Sequence, residues 1–280
     1  MRFSDNLKKL LITENKIWYN LGMKYPNLEK LVDIIAVLRS ENGCPWDREQ
    51  THKSLRPNML EEAYEAVDAI DDGDIANLRE ELGDVLLQVV LHAQIAKDNN
   101  EFDIEDVARE LSEKLIHRHP HVFGTEHVNS ADEVVTNWDK LKNEEKTYRK
   151  SILDGISKSQ SALMSAQKIS KKAVKVGFEW DSVETLKECI QSEFKEFEEA
   201  VKSGDRDKME DEMGDIFFAT VNLARWYKID SEQALLGANK KFTKRFKKME
   251  ELKIKPFEEY SFDEFNDLWK RAKIEISKGN

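Results

Sequence analysis

Carboxylates at helical spacing are the residues here with the clearest chemical potential. In the run LEEAYEAVDAI, from Leu60 to Ile70, Glu61, Glu62, Glu65 and Asp68 share one helical face opposite Leu60, Ala63, Tyr64, Val67 and Ile70. Glu81 and Asp84, three apart, begin a second segment that continues into the apolar stretch VLLQVVL. A helix buried on most sides avoids carboxylates, because an unpaired buried charge survives only with a partner or a metal. ExxE spacing alone in a chain that is 35% charged is usually a solvated face. Two such clusters one turn apart, ahead of a buried helix, point instead to a divalent cation. All-oxygen donors favour a hard ion, Mg²⁺ with Mn²⁺ as its substitute, and Mg²⁺ commonly shares its coordination with substrate phosphates.

The same constellation recurs at a fixed offset of 131: Glu62, Glu65, Gly73, Glu81, Gly83 and Asp84 fall on Glu193, Glu196, Gly204, Glu212, Gly214 and Asp215. Lys114 falls on Arg245, Trp138 on Trp269, and Lys142 on Lys273, so a distal basic and aromatic set keeps the same register. Upstream the register slips by three, since Trp46-Asp47 answers Trp180-Asp181, which gives the first copy a longer lead-in containing Pro57. The copies occupy residues 28–147 and 148–280, with 1–27 as an extension. A di-iron site would need Glu-x-x-His on two helices. Glu49 and His52 supply that spacing once, without a match in the second copy, where Leu186 is the nearest equivalent.

The elements that must position these residues are helices. Gly and Pro are scarce, at 11 and 5 of 280, and apolar residues recur at helical rather than alternating spacing, which predicts an all-α fold. Asp71-Asp72-Gly73-Asp74 supplies a turn and a cap, so each carboxylate pair sits on an antiparallel helix hairpin. With 44 Lys+Arg against 55 Asp+Glu the net charge is −11, which argues against a nucleic-acid polymer as partner. The two cysteines, Cys44 and Cys189, form no zinc or disulfide pattern and fit a reducing cytosol. The amino-terminal residues lack the pattern of a signal peptide, and the most apolar stretch, Val85 to Ala96, is too short to cross a bilayer. His117, His119 and His121, interrupted by Pro120 and absent from the second copy, read as loop or packing residues.

GCPWDREQTHKSLRPNMLEEAYE, followed by EELGD, RHPHVFG, EMGDIFFATVNLARW and NKKFTKRF, resembles the MazG-type all-α nucleoside triphosphate pyrophosphohydrolases over nearly everything after Leu28. The resemblance implies hydrolysis of a nucleoside triphosphate to monophosphate and pyrophosphate, Mg²⁺ on the motif carboxylates (Glu61, Glu62, Glu65, Glu81 and Asp84; Glu193, Glu196, Glu212 and Asp215), and a cytoplasmic homodimer. Glu193 and Glu62 are then the first candidates for the proton-accepting base. Lys241 and Arg245, four apart on one helix face, are candidate phosphate ligands, with Trp269 and Lys273 near the nucleotide and Lys114, Trp138 and Lys142 as their first-copy counterparts. A solvated basic face and a structural Trp are the rival readings. The copies differ: Glu110 stands where the second has Lys241, and Ser192 where the first has Glu61, with Asp211 in reserve. The second copy is therefore expected to carry most turnover and the first to bind metal weakly or stabilise a dimer. Two alternatives stay open: a metal-stabilised helical interaction module without turnover, and a narrow dNTP or phosphoribosyl-ATP pyrophosphohydrolase.

Overall fold

A computed structural model describes residues 25–145 and 150–278, apart from the side chains at 139 and 143. Most of the 1–27 extension and the Thr147 boundary lie outside the described residues. Among the described residues every regular element is helical, as the apolar periodicity predicts. Backbone contacts divide the chain into two compact units, Met1–Thr147 and Tyr148–Asn280.

Unit 1 contains α1 (Pro26–Arg39), α2 (Pro45–Glu49), α3 (Arg56–Asp72), α4 (Ile75–Asp98), α5 (Ile104–Arg118), α6 (Pro120–Phe123) and α7 (Ala131–Glu144). The α3–α4 hairpin turns on Gly73, whose φ of +69° is left-handed and whose N–H bonds the Ile70 carbonyl. Asp74 then caps α4 by accepting from the Ala76 and Asn77 N–H groups, each at 3.0 Å. Helix α1 lies along α4, and Ile35, Leu55, Val90, Leu91 and Ile95 close the core between them.

Unit 2 repeats this plan with α8 (Ala162–Val174), α9 (Val183–Ser203), α10 (Arg206–Trp226), α11 (Ser231–Leu252), a 3₁₀ turn (Phe257–Glu259) and α12 (Phe262–Lys278). Its α9–α10 hairpin turns on Gly204, φ +71°, followed by the cap Asp205. Helix α8 packs on α10 and α11 and is pinned by buried Gln167, which donates to the Ile229 carbonyl at 2.7 Å and accepts from the Ser231 N–H at 3.0 Å. Helices α11 and α12 close on Met249, Leu268 and Ala272 under an aromatic layer that includes Trp269.

Two details differ from the sequence reading. Helix α3 buries Ala66 and Ala69, whereas Leu60, Tyr64 and Ile70 are exposed, so Glu62 shares the inward face rather than a solvated one. Alanines let α3 approach α4 closely; the larger apolar side chains are left uncovered. Pro57 lies in the first turn of α3, where its missing N–H costs nothing, so the three-residue slip falls before it. Leu55 and Leu186, both fully buried, already stand in the 131 register. Leu186 therefore answers Leu55, not His52.

Candidate active site

Each hairpin gathers its carboxylates across its own turn. In unit 1, Glu62 of α3 meets Glu81 and Asp84 of α4, with one oxygen from each lying within 4.8 Å of the others. In unit 2 the corresponding group is Glu193 and Glu196 of α9 with Glu212 of α10. Glu61 and Glu65 stand outside the first triad, and Asp215 outside the second, although Asp215 lies close enough to Glu212 to act on its charge. Crowding of like charges acts in both units. Burial raises the Glu62 carboxyl above its ordinary value, and Asp84, Glu65 and Glu61 push it further. Burial and then Glu65 and Asp84 raise Glu81; burial and then Glu196, Asp215 and Glu193 raise Glu212. Converging all-oxygen donors whose mutual repulsion a cation would relieve are a chemical fit for a hard divalent ion.

Unit 2 carries two neutral donors beside its carboxylates, one of them where unit 1 carries a charge. Ser192 Oγ donates to Glu196 Oε1 at 3.1 Å, and Cys189 Sγ to Glu193 Oε1 at 3.4 Å. The positions 131 earlier are Glu61 and Asn58. Burial, and then the Glu193 carboxylate, raise the Cys189 thiol, so it remains a protonated donor.

A second cluster forms on α11 and α12. The Arg245 guanidinium lies 5.5 Å from the centroid of the Trp269 ring, and Phe242 packs against the same indole at 5.3 Å. Lys241 and Lys273 are exposed nearby in sequence on these two helices. In unit 1 the cation over Trp138 is Arg118, at 5.3 Å, rather than the register-matched Lys114 one turn earlier. Arg118 is buried and held by both Glu145 carboxylate oxygens. His119 packs edge-on against Trp138, and His117 lies 3.8 Å from Glu145. The half-buried indole of unit 1 is thus lined by Arg118 and His119.

The carboxylates of unit 2 border a cavity of about 490 Å³, with Glu193 and Asp215 on its wall and Phe178, Trp180, Ser170 and Asn222 among the other lining residues. Ser170 Oγ donates to Asn222 Oδ1 at 2.6 Å and accepts from Arg225 Nε at 2.6 Å. The other two Arg225 nitrogens grip Glu179, each at 2.6 Å. Burial works against ionised Glu179, yet Arg225 and the Trp180 N–H hold it below its ordinary value.

Residues 50–123 and 181–249 match the MazG nucleotide pyrophosphohydrolase domain, one match in each unit. The chain belongs to the MazG family. A Thermotoga maritima protein named nucleoside triphosphate pyrophosphohydrolase/pyrophosphatase MazG is 47% identical over 88% of this chain and 95% of its own length. An Escherichia coli K12 protein named nucleoside triphosphate pyrophosphohydrolase is 44% identical over 80% of this chain and 88% of its own. The crystal structure of a mazG-related protein from Thermotoga maritima is 33% identical and covers 41% of this chain and 98% of that one, with a TM-score of 0.36.

The MazG matches enclose every carboxylate of the two hairpin clusters, together with Lys114, Lys241 and Arg245, but stop short of Trp138, Lys142, Glu145, Glu179, Trp269 and Lys273. Sequence reasoning used Trp180 only to set the register and passed over Ser170, Asn222, Glu179 and Arg225. One signal was available: Leu91 in the apolar helix of the first copy answers Asn222 in the second.

Proposed function

We propose that this MazG protein hydrolyses nucleoside triphosphates to the monophosphate and pyrophosphate, with broad base tolerance suited to clearing the nucleotide pool. Unit 2 carries most of the turnover. What supports this most directly is the approach of Glu193, Glu196 and Glu212 to within 4.8 Å beside a cavity large enough for a nucleotide, in a chain of this family. The relatives named as nucleoside triphosphate pyrophosphohydrolases point the same way.

Glu193, Glu196 and Glu212, with Asp215 beside them, would hold Mg²⁺, and in unit 1 Glu62, Glu81 and Asp84 would do so with Glu61 and Glu65 at the edge. When bound, the cation supplies charge neutralisation for the pyrophosphate leaving group. The protein's own groups do the rest. A carboxylate within reach of the attacking water is suited to accept its proton, and Glu193, on the cavity wall, is placed for that task. Cys189 holds Glu193 and Ser192 holds Glu196 in single orientations. Lys241 and Arg245 oppose the phosphate charge, with the Arg245 guanidinium held near the Trp269 ring. In unit 1 the comparable cation, Arg118, is spent on Glu145, which favours a metal-binding and structural role there.

Exposed apolar side chains on both hairpins, Tyr64 and Leu82 in unit 1 and Phe194 and Phe217 in unit 2, support a homodimer that covers them. No helix among the described residues is long and apolar enough to cross a membrane. The decisive test incubates the purified chain with each NTP and dNTP, with Mg²⁺ or EDTA, and separates the products by chromatography. Mg²⁺-dependent monophosphate and pyrophosphate are expected. Diphosphate and phosphate would refute attack at the α-phosphorus, and no turnover of any nucleotide would favour an interaction module.

A further inference from the structure

The cavity of unit 2 has a polar floor that the phosphate chemistry leaves unused. Asn222 is only 8% exposed, yet it belongs to a helix that is otherwise apolar on its inward side. Its Oδ1 accepts from Ser170, and its Nδ2 donates to the Phe218 carbonyl at 2.9 Å. An amide carries two N–H donors and two oxygen lone pairs, so one of each remains for a ligand. The chain from Glu179 through Arg225 and Ser170 fixes the orientation of that amide before any ligand arrives.

Above this floor stand two aromatic residues, Trp180 and Phe178, the latter 81% exposed where it borders the cavity. An exposed ring beside a cavity has no core to serve and offers a face for stacking. The duplicate unit supplies the control. At the positions that answer Ser170 and Asn222, unit 1 has Ala36 and Leu91, and Leu91 is part of the closed apolar core. The fold therefore does not need a polar pair at this place; only unit 2 keeps one, beside Glu193 and Asp215.

We propose that this cavity takes the nucleobase of the substrate, stacked by Phe178 and Trp180, and that Asn222, oriented by Ser170 and Arg225, reads a base edge presenting a donor beside an acceptor. The inference rests on the pyrophosphohydrolase reading and deepens it. A flat heterocycle fits both features of the site, since stacking rewards any base while the single amide discriminates among their edges. The phosphates then lie toward the carboxylates on the same wall.

The test compares ordinary nucleoside triphosphates with ribose 5′-triphosphate, which lacks a base, as substrates of the full chain. Asn222→Leu installs the residue that unit 1 uses at this position, and Phe178→Ala truncates a side chain that supports no core. For Asn222→Leu the ratio of kcat/KM for nucleoside triphosphate over the base-free substrate should fall about tenfold, chiefly through KM, and unevenly among the bases. For Phe178→Ala the ratio should fall about fivefold, evenly across the bases. An unchanged ratio in both variants, or equal losses on base-bearing and base-free substrates, overturns the inference while leaving the pyrophosphohydrolase reading intact. Failure of the wild-type chain to hydrolyse any triphosphate overturns both.

Discussion

Glu193→Gln removes a carboxylate that borders the cavity and belongs to the unit 2 triad, so pyrophosphate release should fall by about 100-fold or more, whereas Glu62→Gln should leave most turnover in place. The reverse ranking would move the activity to unit 1. The raised carboxyls make a further prediction for the metal-free chain. A carboxyl that titrates above its unfolded value of 4.5, as Glu212 does, binds more protons folded than unfolded, so stability grows as pH falls through the raised value toward 4.5. In thermal melts in EDTA between pH 8 and 5 this gain should appear as the difference between the wild-type chain and Glu212→Gln. These carboxylates were legible in the sequence because spacing and duplication both marked them. Asn222 and Arg225 were not, since a polar residue in an apolar helix shows its purpose only once its partners are seen. The contact over Trp138 was not legible for a related reason: Glu145 holds Arg118 one turn beyond the register-matched Lys114, and that guanidinium lies over the ring.

Helix ends were the most legible part of the fold, because glycine and aspartate act through backbone geometry that few other residues can supply. Gly204 has a φ of +71° and open space around it, so Gly204→Ala meets no clash and pays only the left-handed backbone penalty, about 1 kcal/mol, readable in a denaturant titration. The outward face of α3 was less legible, because amphipathic spacing identifies an apolar face without saying what covers it. In unit 1 a histidine pair joins the segment before α3 to α4: His52 Nδ1 and His92 Nδ1 are 2.8 Å apart with the rings stacked nearly parallel. Burial, and then His52, lower His92 below its usual 6.5. A histidine depressed in the folded state contributes stability above pH 6.5 that is lost as pH falls through 6.5 toward the lowered value. His92→Leu, which copies Leu223 of unit 2, should remove that acid-side loss in melts from pH 7 to 5.

For the molecule as a whole, the all-α architecture and the duplication followed from periodicity and a constant offset, and Glu110 against Lys241 and Ser192 against Glu61 already set the copies apart, but how differently the two units pack was visible only in the structure. Near-identical carboxylate hairpins are set against a filled apolar core in one unit, and a cavity lined in part by Ser170 and Asn222 in the other. If the exposed hairpin faces pair two copies, light scattering should give twice the chain mass of 32.6 kDa, and Phe217→Glu should shift it toward the monomer. Mg²⁺ at about 100 times its Kd should stabilise the fold by roughly 2.7 kcal/mol per site. That gain should disappear from unit 2 in Glu193→Gln. The glycine turns also bear on how the site comes into being. Each triad is assembled within one helix hairpin, across a connection of very few residues, so its ligands meet by closure of a short local loop rather than by a long search. During synthesis on the ribosome the hairpin of unit 1 can therefore gather its carboxylates while unit 2 is still untranslated, and a cation bound there would hold the nascent segment folded until the second unit follows.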